Sequence, residues 1–198
     1  MVQELVEYAS SLGWIQWSAF ITSIIYVILA AKENIWCWLF GLVSVILSFV
    51  IYIQTKLYSD ASLQVFYMIM SIYGWIQWKQ HPKNTKKLIT TLTFRTHLLL
   101  FVTGLLGTFL LGRFWISYGA ALPYTDAFTT SFSMITTFLV ARKILENWLY
   151  WIVIDTVCVL VYIQRDIPLF ALLFFIYAII AIFGWLHWRK TFQQSVHF

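Results

Sequence analysis

Gly74-Trp75-Ile76-Gln77-Trp78-Lys79 and Gly184-Trp185-Leu186-His187-Trp188-Arg189 are nearly the same six-residue phrase written twice, 110 residues apart. Moving outward at that offset, Tyr67 meets its counterpart in Tyr177, and Tyr52-Ile53-Gln54 recurs as Tyr162-Ile163-Gln164. Further upstream, Glu33-Asn34 and Trp38 align with Glu146-Asn147 and Trp151, now at an offset of 113. A chain rich in Trp can supply one such match by chance. Several in the same order indicate an internal duplication.

The material between these signposts is strongly apolar. Of 198 residues, 61% are hydrophobic and only 11% are charged, where a soluble domain carries roughly a quarter charged residues. A chain this short still exposes much of its surface, so that surface is expected to face lipid. A membrane-spanning helix needs about 20 mostly apolar residues. Seven stretches approach that length: 12–31, 35–54, 61–78, 88–111, 124–141, 148–164 and 167–188. The fifth and sixth are shorter and more polar, which leaves six spans as the competing count. Pro82, Pro123 and Pro168 fall between or at the start of these segments, where proline does least harm to a helix. The first residues, Met1 to Glu7, contain two acids and no basic residue. They do not read as a cleaved signal, so the first apolar segment is expected to be retained.

The expected architecture is one all-α integral membrane domain over 1–198. Residues 12–78 form a first three-helix unit, 88–111 a linker helix, and 124–188 a second three-helix unit. Three crossings leave a unit on the side opposite its start, so the linker must carry the chain back before the second begins. The two units then run parallel, related by an axis along the membrane normal, an arrangement used by transporters with a site at the seam. Basic residues set the orientation. Lys32, Lys79, Lys83, Lys86, Lys87, Arg142, Lys143, Arg189 and Lys190 fall on one side, against Lys56, Arg113 and Arg165 on the other. This predicts the N-terminus outside and the C-terminus in the cytoplasm. The net charge of +5 is spread over short loops, so it reads as an orientation signal, and no nucleic-acid partner is expected.

Residues three, four or seven apart share a helix face. Gln64, Tyr67, Ser71, Trp75 and Trp78 form one stripe. Asp126, Thr129, Thr130, Ser133 and Thr137 form a second. Asn147, Trp148, Trp151 and Asp155 form a third, and Asn34, Trp38 and Gly41 a fourth. Polar groups in hydrocarbon are costly unless they face the bundle or water, so these stripes are expected to point inward. Ser and Thr can equally bond their own helix backbone, and Asp126 can cap its helix. Gln64 is harder to satisfy locally, because its amide has four hydrogen-bonding positions. Trp38, Trp148 and Trp151 are expected to enter the cavity, whereas Trp75, Trp78, Trp185 and Trp188 are expected to anchor or gate at the cytoplasmic ends. Arg95 is expected to snorkel toward the basic interface. Cys37 and Cys158 are too few for a disulfide framework and lack metal-ligand spacing; both read as packing residues, with no metal or cofactor expected. An aromatic cavity of this kind suits a flat ligand that is polar at one end and cationic, since a ring face attracts a cation by about 0.5–2 kcal/mol.

The stretch Leu57-Tyr58-Ser59-Asp60-Ala61-Ser62-Leu63-Gln64-Val65-Phe66-Tyr67, followed by Ser71-Ile72-Tyr73-Gly74-Trp75-Ile76-Gln77-Trp78, resembles the PnuC family of bacterial vitamin transporters. So does Ala141-Arg142-Lys143-Ile144-Leu145-Glu146-Asn147-Trp148-Leu149-Tyr150-Trp151-Ile152-Val153-Ile154-Asp155. The resemblance implies uptake of nicotinamide riboside across the bacterial inner membrane by facilitated diffusion. It implies trapping by a cytoplasmic vitamin kinase, and a fold like that of the sugar-transporting SWEETs. Some relatives carry thiamine, also flat and cationic, and the residues do not separate the two. On this reading Gln64 and Tyr67 hold polar parts of the ligand, and Trp38, Trp148 and Trp151 enclose its ring. Asn147, Thr129, Ser133 and Asp155 bond the ribose or amide. The chain lacks the G-x-x-x-x-G-K-[ST] phosphate loop, and His81, His97, His187 and His197 show no pairing pattern with acids or cysteines. An enzyme is therefore the disfavoured alternative. A sensory or structural membrane protein is a third class. Oligomeric state is left open.

Overall fold

The computed structural model describes residues 13–54, 58–79, 88–119 and 122–196. Among them are seven helices: α1 (Trp14–Ala31), α2 (Cys37–Gln54), α3 (Tyr58–Lys79), α4 (Phe94–Ser117), α5 (Pro123–Ala141), α6 (Asn147–Gln164) and α7 (Pro168–Val196). Five of them, α1, α2, α4, α6 and α7, are long and apolar enough to cross a membrane. α3 and α5 have the length without the hydropathy. Their polarity has a place to go. Ser71 on α3 is buried, as are Ser131, Ser133, Thr136 and Thr137 on α5. In a membrane bundle, hydroxyls are tolerated where they turn inward, away from lipid.

The helices close a ring. α1 packs on α2, α2 on α3, α3 on α5, α5 on α6, α6 on α7, and α7 back on α1. α4 stands outside it and packs along α5. Gly104, Thr108 and Gly112 recur every four residues along α4, and both glycines are buried. A Cβ at Gly104 would run into the Phe132 ring, and one at Gly112 into Tyr124. Small residues at this spacing let two helices approach closely where there is no hydrophobic drive.

The repeat holds a single register. α2 and α6 start at 37 and 147 and end at 54 and 164; α3 and α7 start at 58 and 168; α1 and α5 end at 31 and 141. The offset is 110 throughout, and this corrects the 113 alignment of Glu33-Asn34 and Trp38 with Glu146-Asn147 and Trp151. In the fold, Glu33 corresponds to Lys143 and Trp38 to Trp148. Glu33 and Lys143 both adopt left-handed backbone, with φ of 54° and 56°. The closing hydrogen bonds repeat as well: Asn34 N donates to Leu29 O at 2.9 Å, and Ile144 N to Leu139 O at 3.0 Å. The shared Glu-Asn pair misled because it sits one turn further on in the second copy.

The linker helix also begins later than expected, at Phe94 rather than residue 88. Residues 88–93 are extended. Thr90 forms a parallel bridge with Ile144, through Thr90 N to Lys143 O at 3.1 Å and Leu145 N to Thr90 O at 2.8 Å. Leu92 N donates to the Glu146 carboxylate at 3.2 Å. Thr93 then caps α4 by accepting from Thr96 N. Apolarity alone placed this segment in the helix; its three threonines, β-branched and hydrogen-bonding, take it out. Lys83, Lys86 and Lys87, used for orientation, lie outside the described residues, as do Lys56, Pro82, His81 and His197.

Candidate functional site

The ring has two distinct levels. At the end carrying Lys32, Lys143 and Arg189, four indoles form a continuous layer. Trp38 meets Trp78 edge-on with centroids 5.5 Å apart at 86°, and Trp148 meets Trp188 with the same 5.5 Å and 86°. Trp78 and Trp188 join the two pairs at 6.1 Å. Each pair closes because a glycine lies beneath it: a Cβ on Gly74 would overlap Trp38, and one on Gly184 would come 2.7 Å from Trp148. All four indoles are buried. Trp188 Nε1 donates to Ala30 O at 3.2 Å, tying α7 to α1. Trp78 and Trp188, expected to anchor or gate at the cytoplasmic ends, are buried in this layer, which sets aside the anchoring half of that expectation. Trp38 and Trp148, expected to wall a cavity, are packed in the same layer.

One to three turns further in, the interior becomes polar. The Tyr67 hydroxyl on α3 meets the Ser133 hydroxyl on α5. At the equivalent positions, Tyr177 on α7 meets Ser23 on α1. These two contacts cross between the first three helices and the last three. Tyr177 also lies within electrostatic reach of Asp155, and Tyr67 of Cys158. Asp155 is 3% exposed and its Oδ1 has no hydrogen-bond partner among the described residues. At the indole level itself, Asn147 opens α6 one residue before Trp148 and is fully buried; its Nδ2 donates to Ile144 O at 2.6 Å, while its Oδ1 meets no partner among the described residues. Trp151 is half-buried and packs against both the indole layer and a second aromatic cluster around Phe132 and Cys158. Gln64 is half-buried, on the α3 face of Tyr67.

Not every stripe residue is free to reach a ligand. Thr129 donates to its own helix, at Asp126 O (3.0 Å) or Thr125 O (3.2 Å), and Thr137 to Ser133 O at 2.8 Å. Asp126 does not cap α5; it takes a two-point ion pair from Arg165 at 2.8 and 2.9 Å. Cys37 and Cys158 are free and buried. A shallow depression bounded by Trp38, Leu42, Ser71 and Trp75 opens past the exposed Leu39 and Ile72 to the outside of the ring. Sequence reading missed the Glu33–Lys143 contact, although both residues follow equivalent helix ends.

A ring of apolar-faced helices around a buried, partly unsatisfied polar interior defines a multi-pass membrane transporter. The sequence comparisons agree. Residues 13–190 match the model of the nicotinamide mononucleotide transporter family, and the chain belongs to that family, one of membrane transporters and not of enzymes. It is 28% identical to the nicotinamide riboside transporter PnuC of Escherichia coli (strain K12), over 92% of this chain and 88% of that one. It is 25% identical to the PnuC of Neisseria mucosa, over 98% and 78%. The crystal structure of a vitamin B3 transporter PnuC superposes with a TM-score of 0.77 at 25% identity, covering 98% of this chain and 88% of that one.

Proposed function

We propose that this protein carries nicotinamide riboside into the bacterial cytoplasm by uniport. The carrying observation is the buried Asp155 carboxylate, unpartnered at Oδ1 among the described residues, inside a ring whose relatives are named for that vitamin. A buried carboxylate is costly until a cation or proton joins it, and nicotinamide riboside brings a pyridinium. The repeat register sharpens the site. Tyr67 and Ser133 have like partners in Tyr177 and Ser23, whereas Gln64, Trp151, Asn147 and Asp155 face Phe174, Gly41, Cys37 and Val45 at the equivalent positions. An asymmetric ligand needs unlike halves. Gln64 and Tyr67 hold its polar parts, and Trp151 stacks on the ring. Asn147 and Asp155 supply the unmet acceptors, Ser133 and Thr129 border them, and Trp38 and Trp148 floor the site.

All seven helices cross the bilayer, as two parallel three-helix units around linker α4 in a SWEET-like plan. The N-terminus is outside, and the indole layer is at the cytoplasmic end. The units rock about the site to expose it alternately, and a cytoplasmic kinase makes uptake one-way. The test is calorimetric titration of purified protein with nicotinamide riboside, thiamine and nicotinamide mononucleotide in parallel, followed by tracer uptake into proteoliposomes. Tightest binding and uptake of the riboside support the assignment. Preference for thiamine reassigns the substrate, and binding without uptake removes transport.

A further inference from the structure

The end of the ring sealed by the indoles also holds a buried ion pair. Lys143 Nζ lies 2.9 Å from Glu33 Oε2, with the side chains 5% and 12% exposed. The same ammonium sits 4.7 Å from the centre of the Trp78 ring, and His187 Nε2 approaches the other Glu33 oxygen at 3.9 Å. Glu33 follows α1 and Lys143 follows α5, at equivalent positions of the repeat. Residues that are each other's counterparts and also touch must lie on the axis relating the two units. Both have the left-handed backbone that a helix end normally assigns to Gly or Asn, because a Cβ is unfavourable there. A side chain is kept at both positions against that preference, and the two carry opposite charge.

We propose that Glu33 and Lys143 form a reversible ionic lock that holds this end of the ring shut, and that its rupture opens the polar interior to that side. The proposal rests on the transport reading above. A buried pair is well suited to a gate. Its charges lose hydration when it closes and regain it when it opens, so the net preference for the closed form is modest while the pair is intact. Losing one partner changes this sharply, because the remaining charge stays buried and uncompensated unless the seam opens. The Trp78 ring couples the lock to the indole layer, since it meets the ammonium on one side and Trp38 and Trp188 on the other.

The chain carries its own reporters. Cys37 is fully buried and within electrostatic reach of Lys143, whereas Cys158 belongs to the interior cluster with Phe132 and Ile154. Alkylation by N-ethylmaleimide, resolved by peptide mass, follows the two thiols separately in the full-length protein. Glu33→Gln and Lys143→Met are each expected to raise the Cys37 rate at least about ten-fold, with Cys158 unchanged. The charge-exchanged chain, Glu33→Lys with Lys143→Glu, is expected to return Cys37 toward the parent rate. Unchanged Cys37 labelling in both single variants overturns the lock. So does a parallel rise at both thiols, which marks general loosening, or an exchanged chain as open as the singles. If Lys143→Met does not accumulate, the isosteric Glu33→Gln carries the comparison alone. Parent uptake of nicotinamide riboside is measured beside it. Uptake with unaltered Cys37 labelling refutes the lock only; a labelling response without uptake refutes the transport reading and leaves the lock standing.

Discussion

The two levels of the ring have treated the same duplication differently. Within the indole layer the rings and their glycines match: Trp38 with Trp148, Trp78 with Trp188 and Gly74 with Gly184, down to the same ring distance and angle. Toward mid-ring the backbone register persists and Tyr67 and Ser133 keep like partners in Tyr177 and Ser23, but the other side chains part: Gln64 against Phe174, Trp151 against Gly41, Asp155 against Val45. Both levels hold buried residues, Trp148 in one and Asp155 in the other, so burial does not separate them. The task does. Closing a bundle poses the same packing problem to each half, and one solution serves twice. Holding a ligand with a ring at one end and a ribose at the other poses a different problem to each half.

The strongest way to break this contrast is to fill the space beneath one indole pair. Alanine in place of glycine ordinarily favours a helix by about 1 kcal/mol. In Gly74→Ala the new methyl overlaps Trp38, and overpacking of this kind costs about 1–3 kcal/mol or more. Thermal unfolding in detergent should show a lower midpoint, with Gly184→Ala second because its clash is milder. A midpoint that stays level or rises would mean that the indole layer is slack, and the matched geometry would lose its meaning. At the other level, Gln64→Ala should leave the midpoint in place while riboside affinity falls about ten-fold, the scale of one buried hydrogen-bonding group lost. An unaltered dissociation constant would remove Gln64 from the site.

The sequence made the coarse fold legible because each helix carries its own evidence. A run of about 20 apolar residues is a local property, and every span lay within a few residues of its observed bounds except α7, which runs on to Val196 rather than ending at 188, and α4, which lies six residues later at both ends. For α4 the decisive fact was distant: Thr90 pairs with the backbone around Ile144, and no window of residues 88–93 contains that partner. The same limit explains the site. Stripes placed Tyr67 and Ser133 correctly, since they meet across the seam, but they misplaced Asn34, which is exposed in the turn before α2 and accepts from Trp36 N at 3.0 Å. Periodicity could not say at what depth each residue lies. Trp38 and Trp151 therefore looked alike, though one is sealed in the indole layer and the other lies at the border with the polar interior. Nor could it separate Thr129, occupied by its own backbone, from a hydroxyl free to serve a ligand. The mis-set offset of 113 hid the Glu33–Lys143 pairing, which the 110 register makes plain.

The smallest expected effect compares two ion pairs of similar length. Asp126 and Arg165 approach to 2.8 Å, but their side chains are 34% and 32% exposed; Glu33 and Lys143 approach to 2.9 Å at 12% and 5%. Water screens the first pair and is largely excluded from the second, and a partly exposed pair contributes at most about 1 kcal/mol. Asp126→Asn should therefore lower the unfolding midpoint only slightly. That small effect should shrink further as salt is raised, because exposed charges are screened. If Asp126→Asn instead destabilised the protein as severely as loss of a buried partner, by about 3–5 kcal/mol, the far end would be sealed like the indole end. The ring would then be closed at both levels, and the asymmetry of its two mouths, on which a one-sided lock depends, would have to be abandoned.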